Sequence, residues 1–227
     1  MTLLRANDRL FYFAHIPKTG GSSVETALRA AGASRALHYH KRLKYLRCNL
    51  QHMHADLFDT FVPPDFYDAG FCVTRHPVAR LVSEYRWRQT LQHASIPFDA
   101  WVRKQIKDYR KDPYILDNHM RPQAEFVGKK IEILRFEDGM DQVLSRVSQI
   151  TGLTLDPGTH VRQPTIKDAL TWSPETRAAA LRFYDVDFAT FGYDYDTPLT
   201  DLSIAREDPA LPGPQADAPV APPDAVR

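Results

Sequence analysis

The sequence predicts an α/β fold in three layers, a central, mainly parallel sheet flanked by helices. Three observations carry that expectation. Two apolar runs, Phe11-Tyr12-Phe13-Ala14 and Phe71-Cys72-Val73, each lead through a short polar turn into a helical pattern. Strand-like and helix-like segments alternate through much of the chain, which is the signature of parallel pairing. The chain has 227 residues with 43% hydrophobic content, enough for one substantial core.

The elements follow in order. After the first apolar run, Ser22–Ala31 carries Val24, Ala27, Leu28 and Ala31 at helical spacing and stops at Gly32. Arg35–Arg47 holds Arg35, Lys41, Arg42, Lys44 and Arg47 with His38 and His40 and no acid; it reads equally as a solvated face or as a surface for an acidic glycan. Pro63-Pro64 breaks whatever helix precedes it. The second apolar run enters a helix with Pro77 in its first turn. Further on, Phe98–Tyr109 is a helix, Lys130–Phe136 a strand, Asp138–Ile150 a helix closed by Gly152, and Ser173-Pro174-Glu175 starts a helix running to Tyr184. From Leu199 onward the chain holds six prolines between Pro209 and Pro223 and little apolar bulk. The expected division is a folded domain over 1–198 and a disordered Pro/Ala-rich acidic tail over 199–227.

Composition excludes several classes. The formal charge is +1; the tail's five acids against two arginines leave it at −3 and the body at +4, a balance suited to a small anionic ligand rather than a nucleic-acid coat. Two cysteines, Cys48 and Cys72, make no disulfide framework and offer no metal-ligand spacing, so neither a structural metal nor an oxidising compartment is implied. No apolar stretch has the length of a signal peptide or a membrane span. The expectation is a cytoplasmic protein without a membrane span; oligomeric state is not legible.

Chemistry concentrates in two places. In His15-Ile16-Pro17-Lys18-Thr19-Gly20-Gly21-Ser22-Ser23, a strand gives way to a glycine turn and a helix start. The first amides of such a helix lack intrahelical partners and, with the positive end of the dipole, suit a phosphate or sulfate. Gly20 and Gly21 allow close approach, Lys18 adds a full charge, and Thr19, Ser22 and Ser23 add hydroxyls. The nucleotide-triphosphate loop places its lysine after the glycines; here it comes before them. The second place is Arg75-His76-Pro77-Val78-Ala79-Arg80-Leu81-Val82-Ser83-Glu84-Tyr85, where Arg75 falls at a strand's carboxyl end, the edge at which ligands collect in open α/β sheets. Its planar guanidinium grips phosphate oxygens in a fork.

The first stretch resembles the 5′-phosphosulfate loop, and the second the 3′-phosphate motif R-[DH]-P-x-x-R-x-x-S-x-Y, of sulfotransferases, in particular the Golgi-type carbohydrate sulfotransferases (sulfotransferase family 2) and their bacterial relatives. The resemblance spans roughly residues 10 to 195. It implies a P-loop-like fold and a 3′-phosphoadenosine 5′-phosphosulfate (PAPS) co-substrate, with Lys18, Thr19, Gly20, Gly21, Ser22 and Ser23 at its 5′ end and Arg75 and Ser83 at its 3′ phosphate. It implies Lys18 as the charge that neutralises the leaving group. It also implies a histidine base a little over twenty residues before the second motif. His52 matches that position with Gln51 replacing the usual glycine, and His54 competes with it. Arg121 or Gln123 is an acceptor-side contact by the same resemblance, His119 reads as structural, and Arg80 as a surface or structural ion pair. Glu137 and Asp138, in the family's R-[FY]-E-[DE], read as helix-start groups, and 161–167 falls where relatives carry a donor-covering loop. The Golgi relatives carry an anchor and stem whereas this chain starts almost directly on its first strand, which points to a soluble bacterial enzyme. The acceptor implied is a small molecule or glycan, with no metal. Two other readings remain open: a nucleotide-triphosphate-dependent kinase of P-loop type, and a non-catalytic module for acidic glycans.

Overall fold

A computed structural model describes residues 1–38, 43–91, 96–158, 169–197 and 204–206. The chain opens with a hairpin, β1 (Thr2–Ala6) and β2 (Arg9–Ala14), turned by Asn7 and Asp8. Both turn residues have positive φ, 49° and 58°, a conformation that Asn and Asp tolerate better than other side chains. The sheet continues with β3 (Ser34–Ala36), β4 (Ala69–Thr74) and β5 (Ile131–Arg135) in the order β3-β1-β2-β4-β5. β2, β4 and β5 are parallel neighbours, and β1 runs antiparallel to both β2 and β3, so only β1 opposes the common direction. The mainly parallel sheet expected from sequence is present; β1 and β3 are additions to it.

Period-two alternation sends each strand's side chains to two faces. Phe11, Phe13, Phe71 and Val73 pack with Val24 and Leu28 of α1 (Gly21–Ala30) and Val143, Leu144 and Val147 of α5 (Met140–Thr151). On the opposite face Tyr12, Ala14 and Cys72 pack with Met53 and with Phe58 of α2 (Ala55–Phe61). Three layers result. Each fully buried large apolar side chain contributes about 1.5–3 kcal/mol relative to exposure. Asn7 donates from its side chain to the carbonyls of Thr151 and Gly152, tying the hairpin turn to the end of α5, where Gly152 takes the left-handed conformation that stops the helix.

A third core lies beyond the sheet. Here α3 (Pro77–Leu91) meets α4 (Phe98–Tyr109), α6 (Pro174–Phe183) and α7 (Asp185–Phe191) around Trp101, Val82, Tyr184 and Phe188. α6 begins as its sequence requires, with the Ser173 hydroxyl accepting from the Thr176 amide and proline in the first turn. A short strand not expected from sequence, β6 (Leu170–Trp172), pairs in parallel with β7 (Ile204–Arg206). β7 falls within 199–227, the segment expected from sequence as a tail, and the rest of that segment lies outside the described residues. Among the described residues no helix is long and apolar enough to cross a membrane.

Phe58 is fully buried and its ring stacks on Tyr12 at 4.0 Å and 7°. Phe58→Ala is expected to lower unfolding stability by about 3–5 kcal/mol, read as a fall in the urea midpoint without a change in slope.

Candidate active site

β2 and β4 are adjacent and parallel, so the loops leaving their carboxyl ends share one edge of the sheet. In the first loop Lys18 and Gly20 both have positive φ, 69° and 90°. A Cβ on Gly20 would fall 2.4 Å from the Met140 methyl and 3.1 Å from Phe136; one on Gly21 would fall 2.7 Å from the His15 ring. Only glycine lets the turn lie this close. The first turn of α1 contains no acid, so the amides of Gly21 and Ser22 and the dipole behind them keep their attraction for an anion. Ser22 is exposed there and Ser23 buried. The Thr19 hydroxyl is buried and donates to the Ile16 carbonyl at 2.9 Å, where it closes the turn. Lys18 Nζ lies 4.8 Å from the centre of the Trp87 ring. Burial pulls its pKa down from 10.5 to about 8; Arg75 and Arg88 push the same way, and Glu84 opposes them.

Arg75 leaves β4 and stacks its guanidinium on Phe136 at 4.4 Å, while its Nη1 donates to the Lys18 carbonyl at 3.3 Å. The two expected anion sites therefore adjoin. Ser83 is half-buried nearly two turns into α3, and buried Arg86, which sequence reasoning passed over, adds positive charge near Arg75. The His76 side chain does not cap α3; its Nε2 lies 3.1 Å from the Asp194 carbonyl. The His76 backbone N–H donates to Glu137 Oε1 at 2.7 Å, so a carboxylate from the end of β5 serves the start of α3 instead.

Two suggested ligand contacts face inward. Gln123 brackets the Arg75 backbone, accepting from its N–H at 2.9 Å and donating to its carbonyl at 2.7 Å. Arg121 is buried against Glu125, Asn118 and the Pro113 carbonyl. Arg80 is also internal, but it pairs with carbonyls rather than with an acid: Nε donates to Pro17 at 3.0 Å and Nη2 to His119 at 2.8 Å. Of the basic segment, Arg47 bridges Asp112 at an exposed site, while His40, Lys41 and Arg42 lie outside the described residues, as does 161–167.

Beside the loop stand three imidazoles in a row, His15, His52 and His119, with ring centres 5.6 Å and 4.8 Å apart. Each points Nδ1 at a carboxylate: His15 at Glu25 (3.0 Å), His52 at Asp117 (2.6 Å), His119 at Glu84 (2.7 Å). Burial alone would raise the Glu25 and Glu84 carboxyls, yet their histidine partners, with Thr2 at Glu25 and Arg88 at Glu84, hold both at about 2. Asp117 is likewise lowered against its burial by His52 and Asn49. An ionised carboxylate only accepts, so Nδ1 of His52 and of His119 carries the proton and Nε2 keeps a lone pair; His15 Nδ1 lies between Glu25 and the Gln51 amide nitrogen, 3.1 Å away, and donates to the first or accepts from the second. Burial lowers all three imidazoles below 6.5, His119 to about 4, so they are neutral at pH 7.

Asp117 is aimed at His52 by an unusual turn, Leu116-Asp117-Asn118, in which all three residues have positive φ (50°, 60° and 64°). That strain is held by the Asn49 amide and side chain on Asp117, at 2.6 and 2.7 Å, and by Asn118 Nδ2 on the His52 carbonyl at 2.8 Å. His54 stands outside the row. Its ring meets Tyr114 edge-on and its Nδ1 is buried without a partner among the described residues. Ligand atoms of His52, Asp117 and His119 come within 4.8 Å of one another, a spacing that could admit a metal ion. Both Asp117 oxygens already accept hydrogen bonds, however, and the cations around Lys18 suit an anion better.

The family model described as "Sulfotransferase family" matches residues 1–194. Neither the curated proteins nor the solved structures include a match. The matched span contains the glycine turn, the arginine at the end of β4 and all three imidazoles, and with so much of the chain covered, this protein belongs to sulfotransferase family 2.

Proposed function

We propose that the chain transfers a sulfuryl group from PAPS to an acceptor hydroxyl, that of a carbohydrate being favoured by the resemblance to carbohydrate sulfotransferases. One observation carries the reading: a glycine turn with Lys18 at the end of β2 abuts Arg75 at the end of β4, and the carboxylate-backed His52 belongs to an imidazole row whose His119 stacks on Trp87, the ring that Lys18 lies over. The donor carries negative charge at two places, and the adjoining loops supply separate cations for each.

In this reading the amides of Gly20, Gly21 and Ser22, the Ser22 and Ser23 side chains and Lys18 hold the 5′ end of the donor. Thr19 shapes the turn and offers its amide. Arg75 and Ser83, with Arg86, hold the 3′ phosphate. The acceptor oxygen attacks sulfur as the bond from sulfur to the bridging phosphate oxygen breaks, the acceptor proton passes to His52 Nε2, and Lys18 neutralises the charge left on the phosphate. Asp117 keeps the proton of His52 on Nδ1 and stabilises the imidazolium as it forms. Among the described residues no carboxylate hydrogen-bonds to His54, which is the weaker candidate.

Calorimetry with desulfated nucleotide (PAP) tests the anion sites. Lys18→Ala and Arg75→Ala are each expected to weaken binding at least tenfold, and wild-type affinity in both variants would defeat the reading. Donor-dependent transfer of labelled sulfate across glycans and small alcohols, read by mass spectrometry, tests the reaction itself. With any acceptor so found, His52→Ala is expected to lose 10²–10⁴-fold in kcat, on the order of 3–5 kcal/mol, while PAP affinity is retained. His54→Ala should lose far less.

The pH profile follows from the two shifts. The base must be neutral and its pKa is lowered, so kcat/KM should rise through a value below 6.5; Lys18 must be charged, so kcat/KM should fall again above about 8. A profile still rising at pH 9 would remove Lys18 from its role.

A further inference from the structure

Arg80, Glu84 and Trp87 recur at i, i+4 and i+7 along α3 and so share one face of the helix. That face grips His119 at three points: Arg80 on its carbonyl at 2.8 Å, Glu84 on its Nδ1 at 2.7 Å, and Trp87 on its ring, stacked at 5.4 Å and 16°. The same face reaches the donor loop at two points, Arg80 on the Pro17 carbonyl at 3.0 Å and Trp87 beneath Lys18 Nζ at 4.8 Å. Trp87 is thus in contact with both the loop lysine and the imidazole whose ring centre lies 4.8 Å from that of His52.

We propose that Trp87 is a positioning residue for the transfer reaction, its indole setting Lys18 and His119 on one rigid helix so that the leaving-group cation and the imidazole row keep a fixed separation. The inference rests on the sulfuryl-transfer reading above. Two side chains of Trp87's own helix, Arg88 and Glu84, bear on the Lys18 charge, and Arg75 bears on it from the β4 loop. An in-line displacement needs the attacking and leaving sides of sulfur held at once, and an aromatic plate with only two side-chain torsions loses little entropy in holding them. The lysine gains from the face of the ring while losing water to it, which keeps its side chain over the loop rather than extended into solvent.

The test needs no acceptor. Wild-type protein is expected to bind PAP with a change in tryptophan emission, because Trp101 and Trp172, the other two indoles, are buried in the separate α3/α4/α6/α7 core. Trp87→Phe should still bind PAP, within about threefold, but lose the emission change. Trp87→Leu should weaken PAP binding about tenfold at pH 7. It should also move upward the pH near 8 at which affinity declines, since Lys18 regains water; a loss of packing alone would not move that pH. An emission change retained in Trp87→Phe, or a wild-type pH dependence and affinity in Trp87→Leu, would overturn the inference. If wild-type protein fails to bind PAP at all, the sulfuryl-transfer reading falls first. A thermal melt of each variant identifies simple unfolding, in which case Trp87→Phe alone decides.

Discussion

The site depends on one buried cation. Arg80 is almost fully enclosed, and its guanidinium joins the Pro17 carbonyl in the glycine turn after β2 to the His119 carbonyl beside the strained turn that carries Asp117. Two segments about a hundred residues apart in sequence are held by one planar group. A lysine could not do the same, because its single ammonium has neither the fork geometry nor the reach to serve two carbonyls in fixed directions. Placing a charge in the interior is costly unless hydrogen bonds offset it; Nε and Nη2 make theirs to the two carbonyls, while Nη1 is buried without a partner among the described residues.

Around that link the structure resolves a conflict between burial and charge in a consistent way. Each imidazole is buried enough to be neutral, and each is backed by an acid that its histidine and other hydrogen-bond partners keep ionised. For His52 and His119 the pairing fixes the tautomer, leaving a lone pair on Nε2. Such an arrangement is suited to taking a proton near neutral pH and to stabilising the cation that results. Lys18 shows the complementary case: burial and neighbouring arginines weaken its hold on its proton, which leaves a cation whose charge is most stable when an anion arrives. The left-handed turn at Leu116-Asp117-Asn118 is the strained part of this arrangement, and the bonds from Asn49 and Asn118 keep it in place.

Much of this was legible in sequence because it is written locally. Gly20 and Gly21 announce a turn that admits no Cβ, Pro77 and Ser173-Pro174 announce helix starts, and Gly152 a helix end; each depends on the conformational range of one or two residues. Strands β2 and β4 declared themselves by apolar runs, and the common direction of their loops placed Lys18 and Arg75 on one edge. β1 escaped because its strand is read correctly only once its partner and the Asn7-Asp8 turn are seen together, and β6 because three residues carry no period.

What the sequence could not decide is which polar side chains turn inward. His52 and His54 differ by two positions and are the same residue type; only the packing of Leu116-Asp117-Asn118 brings a carboxylate to one and leaves the other against Tyr114. Glu84 lies in the middle of a recognisable motif yet its partner is thirty-five residues away, and Gln123 and Arg121 look like ligand contacts until the fold turns them toward the Arg75 backbone and Glu125. Local conformational preference is a property of neighbouring residues and survives in the sequence. The pairing of buried charges depends on distances between distant segments, and those exist only in the folded chain.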